Sequence, residues 1–395
     1  MGFASGSVSF SRFAVIGQQP EVVDQDLLDR LSEHALKERE LGIPEEEEYG
    51  WIGGRHILDG HFSFENNVFA DSLFCGIRLD TNRVPSSLKK AYQIIEEDAA
   101  AKGNPSGFIS KLQKRTAKDT VRSKLEDELR SGRFRRSKMM PMLWDVPAAT
   151  VYCAAAGKTQ EKLLEIFERT FDLELQPMTA GALGLRILES MGKRREYEDF
   201  RPTRFVPGPE GEGQMPEYPW VSKGANPKDF LGNEFLLWLW HELQHGKGEV
   251  KTDAGKSVAI LLDKSLDLDC AYGQTGRDGL RGDGASQMPE AMDGLRSGKV
   301  PRKATMVVDG GGQYGFGFNA ESFGFGTMKL PEVEEAENER VLFEERIALL
   351  RDGCKMMDGV YAAFLKLRSS SGWESAAGRM RKWILTTSRP IAAVA

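Results

Sequence analysis

Histidine and cysteine are scarce in this 395-residue chain, with five of the first and four of the second. Cys75, Cys153, Cys270 and Cys354 lie far apart and form no C-x-x-C pair, which argues against the common zinc and thioredoxin-type motifs. A disulfide scaffold does not suit a chain of this size, so four buried thiols are expected. No apolar run approaches the roughly 20 residues that span a bilayer. The opening MGFASGSVSF has neither the charged nor the apolar part of a signal peptide, and Gly6 stands where myristoylation wants Ser or Thr. A cytoplasmic location is therefore the expectation. No period of 20–50 residues recurs, which leaves out solenoids and propellers.

What is present is ordinary for a folded protein: 40% hydrophobic, 28% charged and 9% aromatic residues, with 53 Lys and Arg against 59 Asp and Glu for a net charge of −6. The length allows two or three domains. Strand patterns fall at Ser7 to Ile16, over Phe62 to Val84, and at Lys138 to Trp144 and Ala149 to Ala155. Helical patterns fall at Asp26 to Leu41, Ser86 to Ala101, Phe108 to Leu129 and Thr159 to Phe171, and a short strand follows at Leu173 to Gln176. Beyond residue 227 come an all-round apolar helix from Phe230 to His245, strands at Ser257 to Asp263 and Leu266 to Tyr272, and a helix at Met288 to Arg296. A glycine-rich strand pair within Ala304 to Leu330 precedes helices at Glu332 to Arg368 and Trp373 to Leu385. Strand pairs interleaved with helices predict an α+β fold of antiparallel sheets covered by helices. The Pro/Gly/Glu-rich stretch 197–227 reads as a linker or long loop between an N-terminal α+β domain, residues 1–196, and a C-terminal one, residues 228–395.

Charge is segregated along the chain. Residues 1–60 carry twelve acids and five bases, a balance of −7, whereas residues 111–138 carry eleven bases and four acids, a balance of +7. The eleven are Lys111, Lys114, Arg115, Lys118, Arg122, Lys124, Arg130, Arg133, Arg135, Arg136 and Lys138. The first five recur at i, i+3, i+4, i+7 and i+11, which places them within an arc of about 100° along about 17 Å of helix. An ordinary solvated face mixes signs through i,i+4 pairs, but this one repels itself unless an anion neutralises it. Val121, Leu125 and Leu129 form an apolar stripe that anchors the second half of the helix. Such a strut suits phosphate contacts that give affinity without reading sequence. No helix-turn-helix, zinc finger or aromatic RNA-binding motif accompanies it. The alternative is a solvated helix, or one that pairs with the acidic N-terminal or Glu332 to Glu345 segments of the same chain, as in a protein-interaction scaffold.

One enzyme motif competes. His241-Glu242-Leu243-Gln244-His245 fits H-E-x-x-H, in which two histidines on one helical face hold zinc and the glutamate is general base. The third-ligand position of the extended form is Lys251, so a further carboxylate would have to come from Asp263, Asp267 or Asp269. Gly157-Lys158-Thr159 and Gly255-Lys256-Ser257 imitate the end of a P-loop without its first glycine, and Gly310 to Gly317 reads as a hairpin. No cofactor is expected.

The run from the basic helix through Arg133-Phe134-Arg135-Arg136-Ser137-Lys138-Met139-Met140, the strand ending Leu143-Trp144-Asp145, then Thr150 to Ala155 and the helix leading to Leu173, resembles the RdgC family of recombination-associated proteins. Phe74 to Pro85 and Phe230 to Trp240 are similar to the longer RdgC-like members. The likeness is clearest over residues 62–175. It implies a non-enzymatic, nucleoid-associated protein: a ring-shaped homodimer whose positive hole encircles double-stranded DNA with little sequence preference, restraining RecA-type strand exchange. The basic helix and the Arg133 to Lys138 turn would line that hole. The chain departs from the shorter members in its acidic and Pro/Gly-rich stretches and its overall acidity.

Overall fold

The computed structural model describes residues 2–37, 47–104, 107–211, 213–224, 226–246, 248–333 and 336–386. Along the chain the elements are β1 (Val8–Ile16), α1 (Gln25–Glu33), β2 (Glu47–Ile52), α2 (Phe64–Asn67), β3 (Val68–Phe69), β4 (Ser72–Asn82), α3 (Ser86–Lys102), α4 (Lys111–Arg130), β5 (Arg135–Asp145), β6 (Thr150–Cys153), α5 (Lys158–Phe171) and β7 (Glu174–Pro177). They continue with α6 (Ala180–Ser190), α7 (Arg194–Asp199), α8 (Phe230–His245), β8 (Glu249–Lys251), β9 (Ser257–Cys270), β10 (Asp278–Arg281), α9 (Pro289–Arg296), β11 (Lys299–Asp309), β12 (Gln313–Asn319), β13 (Gly324–Lys329), α10 (Glu339–Arg368) and α11 (Trp373–Thr386). The fold is α+β, and its described strand pairs are antiparallel, apart from an isolated parallel bridge between Ala35 and Trp51. No described helix is long and apolar enough to cross a membrane. All four cysteines are buried and none forms a disulfide.

Two compact units form, and they do not divide at residues 197–227. Unit 1 comprises residues 1–19, 143–155 and 174–395, and unit 2 comprises residues 20–142 and 156–173. The reason is strand pairing. β1 pairs with β13 through Val8 and Phe10, with β6 through Ser11 to Ala14, and with β7 through Phe13 to Ile16. Three short segments from the first half of the chain are thereby stitched to the second half.

The 197–227 stretch is part of the unit 1 core, not a linker. Tyr197, Phe200, Phe205, Val206, Tyr218 and Val221 are buried. Their backbone is fixed from α8, which is buried at every position from Phe230 to His241. Fully buried Glu234 accepts the Thr203 N–H at 2.6 Å and the Arg368 guanidinium at 2.8 Å. Asn233 accepts the Trp220 indole N–H at 3.2 Å and donates to the Pro301 carbonyl at 2.9 Å. Polar side chains on an otherwise apolar helix thus satisfy buried groups of an irregular segment. Gly232 is required at its site, because a Cβ there would lie 1.9 Å from the Ala320 carbonyl oxygen.

Asp229, just before α8, accepts the Gly181 N–H at 2.9 Å. Burial pushes its carboxyl up to about 6, against hydrogen bonds from Thr179 and Gly181 that pull the other way. A carboxyl whose folded pKa lies above its unfolded one stabilises the fold most below about pH 4, and that contribution is lost as pH rises through about 6. Asp229→Asn keeps an acceptor for Gly181 and removes the titration. Urea denaturation at pH 4, 5, 6 and 7 should show the variant gaining on the wild type by up to about 1.4 kcal/mol per pH unit across that window. Parallel curves would refute the assignment.

Two expected strands in unit 1 are one. β9 pairs with β11 along its length, but the register jumps from Thr305–Asp263 to Ala304–Leu266. Lys264 at the jump has φ of +35°, which marks a bulge that bends the strand without ending it. The glycine-rich stretch forms three strands instead of two, β11, β12 and β13.

In unit 2, β4 pairs with β2, β3 and β5. α1 turns Leu27, Leu28 and Leu31 inward, and α5 does the same with Leu163, Ile166 and Phe167. Trp51 of β2 is fully buried and donates its indole N–H to Thr170 of α5 at 2.8 Å. The expected helix Asp26 to Leu41 ends at Glu33, and its last residues, 38–41, lie outside the described residues. Of the four consecutive glutamates at 45–48, Glu47 and Glu48 open β2, and residues 45 and 46 lie outside that set, as do 334 and 335 of the expected helix from Glu332.

Candidate nucleic-acid interface

α3 and α4 form a helical hairpin in unit 2. The sequence starts α4 sharply. Ser110 accepts the Gln113 N–H at 3.2 Å and Gln113 Oε1 accepts the Ser110 N–H at 2.9 Å, a reciprocal cap that satisfies two amides at the helix start. Gln113 also exchanges two hydrogen bonds with Asn104, both 2.9 Å, which ties the inter-helix turn to the cap. α4 buries Ala117, Val121 and Leu125, while α3 buries no residue at all. Leu129, the third member of the expected stripe, is only half-buried.

Glu128 is the hub at the far end of α4. It accepts the Tyr92 hydroxyl at 2.6 Å and pairs with Arg133 at 3.1 Å. Lys124 lies over the Tyr92 ring at 4.6 Å, and Asn82 donates to the Leu129 carbonyl at 3.0 Å. Where β5 begins, Asp80 of β4 takes Arg135 at 2.6 Å and Arg78 at 2.8 Å. Burial alone would raise the Asp80 carboxyl, but hydrogen bonds from Arg78, Ser137 and Arg135 outweigh it and hold the group below the ordinary carboxylate value.

These contacts sort the eleven cations. All are exposed residues. Arg122 pairs with Glu126 at 3.0 Å, Arg130 reaches Asp127 at 4.0 Å, and Lys124, Arg133 and Arg135 are held as described. Arg135 is therefore a structural link between β4 and β5 before it is anything else. Lys111, Lys114, Arg115, Lys118, Arg136 and Lys138 make no ion pair with any described residue. The first four share one face of α4, and the last two stand on the exposed start of β5. Like charges this close raise each other's energy unless an external anion is present. Exposed apolar side chains, Leu112 and Phe108 on one arm and Ile94 and Ile95 on the other, accompany them.

The H-E-x-x-H residues sit at the end of α8 in unit 1. His241 is buried and its ring stacks on His245 at 4.3 Å, with Trp383 edge-on to both. His241 Nδ1 meets Glu242 at 3.1 Å, and His245 Nδ1 meets the His241 carbonyl at 2.9 Å. The carboxylates that could have supplied a third ligand are occupied: Asp267 faces Arg281 at 2.6 Å, Asp269 takes Arg277 and Arg302, and Asp263 accepts the Gly284 N–H. Among the described residues no group of three His, Cys, Asp or Glu side chains could hold a metal ion.

One charged cluster escaped the sequence reading. Arg12, in the middle of β1, is 3% exposed and gives both terminal nitrogens to Asp358 at 2.6 and 2.7 Å. Its signal was available, because Arg12 falls in phase with inward-facing Val8 and Phe10 on a strand of period two. No family model matches this chain, and no curated protein matches it.

Proposed function

We propose that this protein binds double-stranded DNA without sequence preference through the α4 face and the start of β5, as a non-enzymatic homodimer of the RdgC type that encircles the duplex and restrains RecA-type strand exchange. The observation that carries the reading is the set of six exposed cations, Lys111, Lys114, Arg115, Lys118, Arg136 and Lys138, with no ion-pair partner among the described residues. Polyphosphate backbone supplies regularly spaced charge of the opposite sign, and released counterions provide the driving force. The family-like segments 62–175 include this whole element.

A titration of duplex binding against salt tests it. With about six phosphates neutralised per protomer, log K should fall against log salt with a slope near −5, and near twice that for a dimer. Shuffling the base sequence should leave the slope unchanged. Complexes on covalently closed circles should outlast those on linear duplex at high salt, since an encircling dimer leaves only by a free end. A slope near zero would overturn the phosphate reading, and equal lifetimes on circles and linear DNA would overturn the encircling one.

A further inference from the structure

Unit 1 contains a cavity of about 320 Å³ whose wall is unusually charged. Arg12 and Tyr152 come from the sheet, Arg186 from α6, and Arg351 and Lys355 from α10. Two acids also line it, and each is committed: Asp358 to Arg12 through both oxygens, Asp145 to Arg351 at 2.7 Å. Arg186 and Lys355 remain. Both are exposed, as is Ser190 beside them, so the cavity opens to solvent on that side. Neither makes an ion pair with a described residue, and the wall carries four cations against two anions.

Tyr152 adds the second observation. It is 4% exposed, lines the cavity, and its hydroxyl has no hydrogen-bond partner among the described residues. The hydroxyl is open to the cavity, so its O–H is available to an acceptor oxygen of a bound molecule. Burial raises its pKa further, so the O–H stays a donor. Cys354, also in the wall, is pushed up to about 12 by burial and remains a thiol. The size lies at the small end of metabolite sites. Two uncompensated positive charges with a hydroxyl donor call for a ligand of charge −2 bearing more than two acceptor oxygens.

We infer that this cavity is a binding site for a small phosphate monoester, its dianion held by Arg186 and Lys355 at the mouth and by the Tyr152 hydroxyl within. The site is separate from the basic face of α4 and independent of DNA binding.

Glycerol 3-phosphate serves as the probe, with succinate as a dicarboxylate comparison and sodium chloride at matched ionic strength as control. Calorimetric titration of the full chain should give saturable binding of the monoester that exceeds succinate. Arg186→Gln with Lys355→Gln should weaken it more than tenfold, and Tyr152→Phe about fivefold, since only an O–H is removed. Both replaced cations are exposed, so melting temperature without ligand should not change. The variant carrying Lys114→Glu, Arg115→Glu and Lys118→Glu should bind the monoester like the wild type, which separates this site from the DNA reading. Unsaturable binding, undiminished affinity in the Arg186/Lys355 variant, or tighter binding of succinate would each overturn the assignment.

Discussion

Replacing Lys114, Arg115 and Lys118 together by glutamate should lower duplex-DNA affinity by about three orders of magnitude at 0.1 M salt. Three lost phosphate contacts, at about 0.9 counterion each, remove about 2.7 log units of the affinity gained between 1 M and 0.1 M salt, and the new negative charges add repulsion. All three side chains are exposed and make no ion pair with a described residue. The capping box at Ser110 and the buried Ala117, Val121 and Leu125 are untouched. Far-UV circular dichroism and melting temperature should therefore match the wild type. Arg122→Gln provides an internal comparison, because Arg122 already spends part of its charge on Glu126, and it should cost less than tenfold. Unchanged affinity of the triple variant in a gel-shift series would remove α4 from the interface.

The second large effect concerns stability. Asp358→Ala strands the Arg12 guanidinium in a nearly solvent-free position between the Phe323 and Phe325 rings, at 5.6 and 5.8 Å. Burial by itself would pull the arginine pKa down, but Asp358 more than reverses that, and the group stays charged. Breaking one side of such a pair costs about 3–5 kcal/mol, because the remaining buried charge loses its counter-ion. Replacing both members, Arg12→Met with Asp358→Leu, should recover most of the loss, since an apolar pair of similar volume carries no desolvation penalty. Chemical denaturation of the two variants checks this. A loss below 1 kcal/mol for Asp358→Ala would mean that solvent in the adjoining cavity already screens Arg12.

The basic helix was legible because its signal is local, charges at helical spacing beside an apolar stripe, although its expected start at Phe108 lies ahead of the Ser110 cap that opens it at Lys111. β1, α3, α5 and α8 were equally plain from periodicity and their bounding residues. The segment 197–227 was not, because proline and glycine dominate its composition while its fate is set by where Tyr197, Phe200 and Tyr218 find cover. Only the remote Asn233 and Glu234 explain why it is ordered. β9 was split in two because Lys264 and Ser265 look like a turn locally, and only pairing with β11 shows a bulge. For the site, spacing identified the cations but could not sort them. Asp80 and Glu128 decide which arginines are already engaged, and neither lies at helical distance from every partner it takes.

The pairing of Phe10 with Phe325 has a kinetic side. Unit 2 has all its residues once the ribosome has passed Leu173, whereas β1 acquires its β13 partner only after Lys329. Until then an apolar strand carrying a buried-type arginine has one edge unpaired, and Asp358, which neutralises that arginine, is synthesised later still. Closure of so long a loop is slow relative to local hairpins and helices. Unit 1 thus matures last, and the interval during which β1 waits is the stage of biosynthesis most exposed to aggregation and to capture by chaperones.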